Sequence, residues 1–167
     1  VTVVRCSTTL LFPFVTNRFG FDTGIAVSNT SEDWKGTTPQ RGRCYVHYIG
    51  NVGDDGLTPD TATSSIIEGG EQMTFTLSAG NPVWGIDPTP DFQGFLVVMC
   101  EFQFAHGYAF ITDGAAGIPT LAQGYLALVL QFDNDFDGSG VPDRLVDCWS
   151  YYRGKSHNSC RSEGSNH

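Results

Sequence analysis

The chain has 167 residues, a formal net charge of −9 and 21 aromatic residues, of which 12 are Phe, 6 Tyr and 3 Trp. This length suits a single domain with a core of its own. With 9 Lys and Arg against 18 Asp and Glu, the chain has no basic stripe for a nucleic-acid backbone. A hydrophobic fraction of 40% argues against disorder, and no apolar run is long enough to span a membrane.

Apolar residues alternate with a period of two along most of the chain, which predicts strands rather than helices. The alternation is cleanest at 73–78, and in 95–104 it places every second residue from Leu96 to Phe104 on one face. A short helical turn is predicted near 115–123. The predicted strands are 10–16, 22–29, 44–49, 73–78, 95–104, 107–112 and 124–132.

Gly- and Pro-rich turn signals separate these strands. Short strands between such turns predict an all-β fold, an antiparallel two-sheet sandwich of immunoglobulin-like type, with a closed barrel as the alternative. The predicted organisation is an N-terminal arm at 1–8, the sandwich at 9–130 and a C-terminal tail at 131–167. In the tail, Asp-rich and then Ser-, Asn- and His-rich segments replace the strand pattern.

Five cysteines without CxxC spacing predict structural disulfides and a secreted, extracellular or cell-surface location. Cys44 and Cys100 both lie on apolar faces of predicted strands and are the preferred pair. Cys148 and Cys160 in the tail form a second, local pair, which leaves Cys6 for an intermolecular bond. A competing scheme pairs Cys6 with a tail cysteine, and the sequence leaves both schemes open.

Residues 133–143, with the sequence DNDFDGSGVPD, carry the most specific chemical motif. Asp133, Asp135 and Asp137 occupy positions one, three and five of a D-x-D-x-D-G pattern, and Gly138 occupies position six. In calcium loops this spacing makes alternate carboxylates converge on one ion, while the glycine allows a sharp turn. Three carboxylates so close together repel one another unless a hard cation neutralises them. The motif therefore predicts bound Ca²⁺.

The motif departs from a full EF-hand because position twelve is Arg144 rather than Glu. Asp143, one residue earlier, can supply that ligand, and the stretch resembles the shorter loops of thrombospondin type 3 repeats and dockerin-like modules. Mg²⁺ fits less well because it demands stricter octahedral geometry, and the alternative is a solvated acidic turn without metal. The predicted ligands are Asp133, Asp135, Asp137, Asp143 and, through its backbone, Ser139.

No catalytic motif stands out. A G-x-S-x-G elbow, a phosphate loop and a dinucleotide fingerprint are all absent from the sequence. His106 and Asp113 lie close in sequence, but His106 is read as a hydrogen-bonded residue at a strand end. Glu68 and Glu71 flank a Gly-Gly turn, and Glu101 lies on the polar face of a strand, so all three are read as surface residues. We therefore predict that the chain is not an enzyme.

Some aromatic residues fall in predicted loops or in the tail, where they could stack on sugar rings. Packing against the sandwich ends or against another subunit is the preferred interpretation. These residues are Trp34, Trp84, Trp149, Tyr151 and Tyr152. Asn29 begins an Asn-Thr-Ser sequon, which indicates a possible, accessible glycosylation site if the host glycosylates its proteins.

Four segments of the chain resemble a group of secreted bacterial β-sandwich proteins without an assigned function. The segments are FPFVTN at 12–17, GFDTGIAVSNTS at 20–31, FQGFLVVMCEFQFAHGYAFITD at 92–113 and GYLALV at 124–129. The resemblance implies a β-sandwich and an extracellular location, but no activity. The tail after residue 131 departs from the pattern.

These observations predict a secreted, non-enzymatic structural protein that forms filaments or cell-surface assemblies with copies of itself. The sequence Val-Thr-Val-Val-Arg at 1–5 is a β-prone arm that could add to the sheet edge of a neighbour, and an unpaired Cys6 could join subunits. The alternative is a calcium-braced carbohydrate-binding or adhesin module with glycan partners. A hydrolase is the least favoured hypothesis.

Overall fold

The computed structural model describes residues 7–53, 58–114 and 121–130, together with the backbone of 132–133 and 143–144. It divides the chain into two units, Val1–Leu128 and Val129–His167. Among the described residues, no helix has the length and apolar character needed to cross a membrane.

The first unit contains eight complete strands in its described residues, with one 3-10 turn, Pro82–Trp84, between the fifth and sixth. The predicted helical turn near 115–123 is wrong at its described end, because residues 122–123 open a strand; 115–120 lie outside the described residues. The strands are β1 Thr8–Thr16, β2 Asp22–Asn29, β3 Cys44–Val52, β4 Ala62–Thr63, β5 Gln72–Thr76, β6 Phe92–Cys100, β7 Ala105–Thr112 and β8 Ala122–Leu126.

These strands form two antiparallel sheets, as the sequence predicts. In sheet A the strands lie side by side in the order β4-β3-β6-β1, and in sheet B the order is β5-β2-β7-β8. Both sheets contribute inward-facing side chains to one core, so the architecture is sandwich-like. The described strands of this unit thus form two separate sheets and not the closed barrel of the alternative prediction.

Strict alternation explains why these segments form strands with one buried face. In β2, Thr23, Ile25 and Val27 are buried, whereas the residues between them are partly exposed. Each fully buried aliphatic or aromatic side chain contributes roughly 1.5–3 kcal/mol to stability. The largest fully buried side chains come from both sheets and their connections, and include Leu10, Phe12, Val46, Ile67, Met73, Phe92, Leu96 and Phe102.

Gly107, an inward-facing residue of β7, packs directly against side chains of sheet A. A Cβ atom at this position would lie 2.6 Å from Cζ of Phe12 and 2.8 Å from Cβ of Ala127. These distances are shorter than van der Waals contact, so a side chain at 107 would push β7 away from sheet A. Glycine here allows the Phe12 ring to fill the core between the sheets.

The predicted strand at 95–104 is shorter at its C-terminal end than expected, because β6 ends at Cys100. The chain then turns through 101–104 into β7, and Phe104 adopts a left-handed φ of 62°. Both the amide and the hydroxyl of Thr30 donate to the Phe104 carbonyl and hold this turn. Phe102 is buried, but Phe104 is 50% exposed, so Phe104 does not share the core face predicted for it.

The described backbone after residue 130 belongs to the second unit. Two short strands, β10 Phe132–Asp133 and β11 Asp143–Arg144, pair antiparallel. Strand β9, Leu128–Leu130, begins at the last residue of the first unit.

Candidate functional site

The disulfide between Cys44 and Cys100 confirms the preferred pair. The two residues are directly opposite each other in the β3–β6 ladder, and both are fully buried. The bond joins positions that are 56 residues apart and ties together two neighbouring strands of sheet A. Cys6, Cys148 and Cys160 lie outside the described residues, so their pairing stays a prediction.

The predicted calcium loop lies mostly outside the described residues, which exclude Asp135, Asp137 and Ser139. Its two ends are described at the level of the backbone, where Asp133 is opposite Asp143 in the β10–β11 ladder. Elsewhere in the described chain, no group of three or more His, Cys, Asp or Glu residues could hold a metal ion. Calcium binding at 133–143 therefore stays a prediction.

The Asn29 side chain is buried, contrary to the accessibility that its sequon indicates. It is 1% exposed, and its Nδ2 donates to the carbonyls of Gln40 and Ile67 at 2.8 and 3.2 Å. Its Oδ1 accepts a hydrogen bond from the Ser31 amide. A glycan on Nδ2 would break these bonds and open the loop packing, so in the folded domain Asn29 has a structural role.

His106 and Asp113, which lie near each other in sequence, are at opposite ends of β7. Seven residues of extended chain separate them by about 23 Å, and Asp113 Oδ1 accepts a hydrogen bond from the Leu121 amide. The structure does not bring the two together, so they cannot act as a pair in one reaction.

The candidate glutamates take part in local contacts that stabilise turns and strand ends. Glu68 lies 3.2 Å from Arg41, and Glu71 accepts a hydrogen bond from the Glu68 amide. Glu101 accepts hydrogen bonds from the Arg43 amide and the Tyr45 hydroxyl. These contacts agree with the surface roles assigned to all three carboxylates.

Two of the loop aromatics are described, and they differ. Trp84 is partly buried against the core, in agreement with the packing interpretation. Trp34 is 90% exposed, and its contact is with the Lys35 ammonium, 5.3 Å from the ring centroid. Trp149, Tyr151 and Tyr152 lie outside the described residues.

Tyr48 is a buried titratable group on the inner side of sheet A. It is 4% exposed and packs edge-to-face on Phe92 at 5.6 Å. Burial raises the pKa of Tyr48 to about 12, against a smaller opposing effect of nearby Thr89. In the described part of the chain, its hydroxyl makes no hydrogen bond of normal geometry.

The outer side of sheet A carries an apolar surface that the sequence interpretation missed. Leu11 is opposite Val97, and Ile49 is opposite Phe95, so their side chains point to the same side of adjacent strands. Met99 extends the surface and is 41% exposed; Ile49 is 37% exposed. We call Leu11, Ile49, Phe95, Val97 and Met99 the aliphatic face, because every member except Phe95 is aliphatic. Its signal in the sequence was the uninterrupted apolar run Phe-Leu-Val-Val-Met, because alternate residues of such a run must point away from the core.

A second exposed surface lies on the outer side of sheet B. Tyr108 and Phe110 point outward from β7 and are 43% and 41% exposed, and Leu126 of β8, opposite Tyr108, is 75% exposed. We call these three residues the aromatic face. It was also missed, although the alternation His-Gly-Tyr-Ala-Phe places both rings opposite the small inward-facing residues.

The chain matches no family model, no curated protein and no solved structure. Its function is therefore inferred from the chemistry of its own surfaces.

Proposed function

We propose that the chain is a secreted, non-enzymatic structural protein whose copies assemble through the aliphatic face of sheet A. The observation that carries this proposal is the exposure of Met99 and Ile49 among apolar neighbours on three adjacent strands. An antiparallel sheet with one solvated side normally alternates apolar and polar residues. Here β6 is apolar on both sides over five successive residues, a pattern typical of strands that are covered on both faces.

A second copy of the chain suits this surface because both partners would bring the same flat, apolar sheet. Sheets that pack face to face lie about 10 Å apart, and their side chains interdigitate. The five side chains of the aliphatic face carry no formal charge, so apposing two copies would not bury an unpaired ion. Exposed apolar patches of this kind mark interaction surfaces.

The polar groups beside the aliphatic face are already partly satisfied within the chain. The Tyr45 hydroxyl donates to Glu101 at 3.2 Å, and His47 Nδ1 lies 3.0 Å from the Thr61 hydroxyl. Groups that are paired before association lose less on desolvation. The surface therefore has an apolar centre with a polar border, as protein interfaces do.

Three further parts of the proposal rest mainly on sequence. An immunoglobulin-like class for the sandwich is supported by its two antiparallel sheets. Bound Ca²⁺ at 133–143 is supported by the Asp spacing and by the backbone pairing of Asp133 with Asp143. Strand addition by the arm at 1–5 and cross-linking through Cys6 would reinforce contacts between copies.

The assembly is tested with a double variant, Ile49→Glu and Met99→Glu, in the full-length chain. Both side chains are exposed, so the substitutions leave the core intact but place four charges between two apposed copies. Light-scattering mass and negative-stain microscopy should show assemblies for the wild type and monomers for the variant. The matched control is Thr74→Glu, an exposed position on sheet B, which should assemble like the wild type. A wild type that stays monomeric at high concentration in calcium buffer would contradict the proposal.

A further inference from the structure

The aromatic face of sheet B differs from the aliphatic face in shape and in chemistry. Tyr108 and Phe110 are two residues apart on one strand, so their outward side chains are separated by about 6.7 Å. Both rings are more than 40% exposed, and Leu126 extends the surface onto β8. Two aromatic rings at this spacing form a platform for a ligand that is long and narrow.

Gly124 leaves the space that the Tyr108 side chain occupies. A Cβ at Gly124 would overlap the Tyr108 hydroxyl oxygen and would come within 2.8 Å of Cζ. The Tyr108 side chain therefore lies across β8 over Gly124 instead of standing away from the sheet. This arrangement presents a ring along the surface before any ligand arrives, which lowers the entropic cost of binding.

On the side of β2, the platform borders a surface of small and polar residues. Gly24 of β2 is opposite Phe110, and a Cβ there would meet nothing closer than 3.9 Å. The space beside Phe110 is therefore open, and a side chain at position 24 would fit there. Beyond β2, strand β5 contributes the exposed Thr74, and the amide of Gln72 donates to the Ser28 hydroxyl. A ligand lying on the rings could reach hydroxyl and amide groups.

The size of the surface favours a ligand that is smaller than a protein. A large side chain has about 150–250 Å² of surface, so the exposed parts of Tyr108, Phe110 and Leu126 amount to roughly 300 Å². A stable protein complex buries roughly 800 Å² on each partner. These three side chains thus match a few rings of an oligosaccharide, and the small or polar residues around them do not extend the apolar surface further.

The charge of the surface indicates which small ligand it fits. Among the outward-facing residues of the four strands of sheet B, only Asp22 carries a formal charge, and its carboxylate accepts hydrogen bonds from Ser78. In a chain with a net charge of −9, such a neutral surface does not attract ions of either sign. A neutral pyranose chain is complementary, because it combines apolar C–H faces with hydroxyl edges.

We propose that the aromatic face is a binding platform for neutral oligosaccharides. Tyr108 and Phe110 stack on successive sugar rings, Leu126 contacts one end of the chain, and the polar groups of β2 and β5 contact sugar hydroxyls. This site goes beyond self-assembly, because it lies on the opposite sheet and uses none of the aliphatic-face residues.

The test is isothermal titration calorimetry of the full-length chain with cellohexaose, maltohexaose and hexa-N-acetylchitohexaose, each at up to millimolar concentration. At least one of these neutral hexasaccharides should bind the wild type. Phe110→Ala should weaken that binding at least tenfold, because it removes one stacking ring while leaving the core untouched. The matched control is Ile49→Ala on sheet A, which should bind like the wild type.

A second variant keeps the test decisive if Phe110→Ala folds poorly. Gly24→Thr adds a strand-favouring side chain where space exists, so it should fold normally and still block access to Phe110, with a similar loss of affinity. The proposal is overturned if none of the three probes binds, or if Phe110→Ala and Gly24→Thr bind as tightly as the wild type. It is also overturned if Phe110→Ala abolishes self-assembly, because the face would then be a protein interface.

Discussion

The two sheets of this protein share one core but present different outer surfaces. Sheet A exposes an aliphatic face whose most accessible side chains are Met99 and Ile49, whereas sheet B exposes two aromatic rings beside a nearly uncharged, polar surface. The first resembles the inner layer of a larger assembly, and the second resembles a ligand platform. A sandwich can thus separate two binding tasks, because the core keeps the two surfaces on opposite sides.

The largest expected effect comes from removing the disulfide. The double variant Cys44→Ser and Cys100→Ser should lose about 4 kcal/mol of unfolding free energy, because the bond closes a loop with a separation of 56 residues. Urea unfolding measures the loss. Since the bond joins β3 to β6, the aliphatic face should lose its order before the aromatic face does, with assembly failing at lower urea than saccharide binding.

Reductant provides the control for this prediction. It should lower the stability of the wild type towards that of the double variant and leave the double variant unchanged. If the unfolding free energy of the double variant lies within about 1 kcal/mol of the wild-type value, the disulfide does not stabilise sheet A as expected.

A matched pair of glycine variants separates the core from the surface. Gly107→Ala should cost about 1–3 kcal/mol, because the new Cβ would overlap the Phe12 ring, and it should weaken both faces together. Gly24→Ala should be neutral or should stabilise by up to about 1 kcal/mol, because its Cβ meets open space and alanine costs less entropy in a strand. Thermal unfolding of both variants measures the difference in stability. Equal losses of stability in the two variants would contradict the sheet packing.

Alkaline pH probes the core between the faces. The pKa of Tyr48 is about 12 in the folded chain and near 10 when unfolded, so the unfolded chain loses its proton first. The stability contributed by the neutral tyrosine is therefore present below pH 10 and is lost as the pH rises towards 12. The loss between pH 10 and 11.5 should be about 1–2 kcal/mol.

Tyr48→Phe should flatten this decline and should not lower stability at pH 7, because the removed hydroxyl makes no normal hydrogen bond in the described chain. Burial also raises the pKa of Tyr125, so a smaller decline in stability should remain at alkaline pH. An unchanged alkaline decline in Tyr48→Phe would show that another group causes it.

A substitution in the Asp-rich loop at 133–143, which belongs to the second unit, should have the smallest effect on either face. Asp135→Ala should abolish a calcium-dependent gain in melting temperature, because it removes one of the predicted carboxylate ligands. Saccharide binding by the aromatic face should stay the same. If a chelator leaves the melting of the wild type unchanged, the calcium prediction is wrong.

The alternation of residues was sufficient to predict much of the fold. The predicted strand at 22–29 coincides with β2, since turn residues flank a clean two-residue period, and the Cys44–Cys100 pair followed from the apolar faces of two strands. The end of β6 was not predictable in this way. The alternation continues to Phe104, while the backbone turns through a left-handed φ that nothing in the sequence indicates.

The sites were harder to predict than the strands, for a physical reason. A two-residue period shows that Tyr108 and Phe110 share a side of β7, but only the pairing with β2 and β8 shows that Gly24 and Gly124 lie beside them. The sequon at Asn29 indicated an accessible side chain. Its accessibility depends on loop carbonyls that fold over it, and the sequence does not show this packing.

The most direct test of the central claim is the light-scattering mass of three full-length proteins: the wild type, the Ile49→Glu and Met99→Glu double variant, and Phe110→Ala. If sheet A is the surface for self-assembly and sheet B is not, the wild type and Phe110→Ala should have the same assembled mass and the double variant the monomer mass. An assembled double variant, or a monomeric Phe110→Ala, would contradict the division of tasks between the two faces.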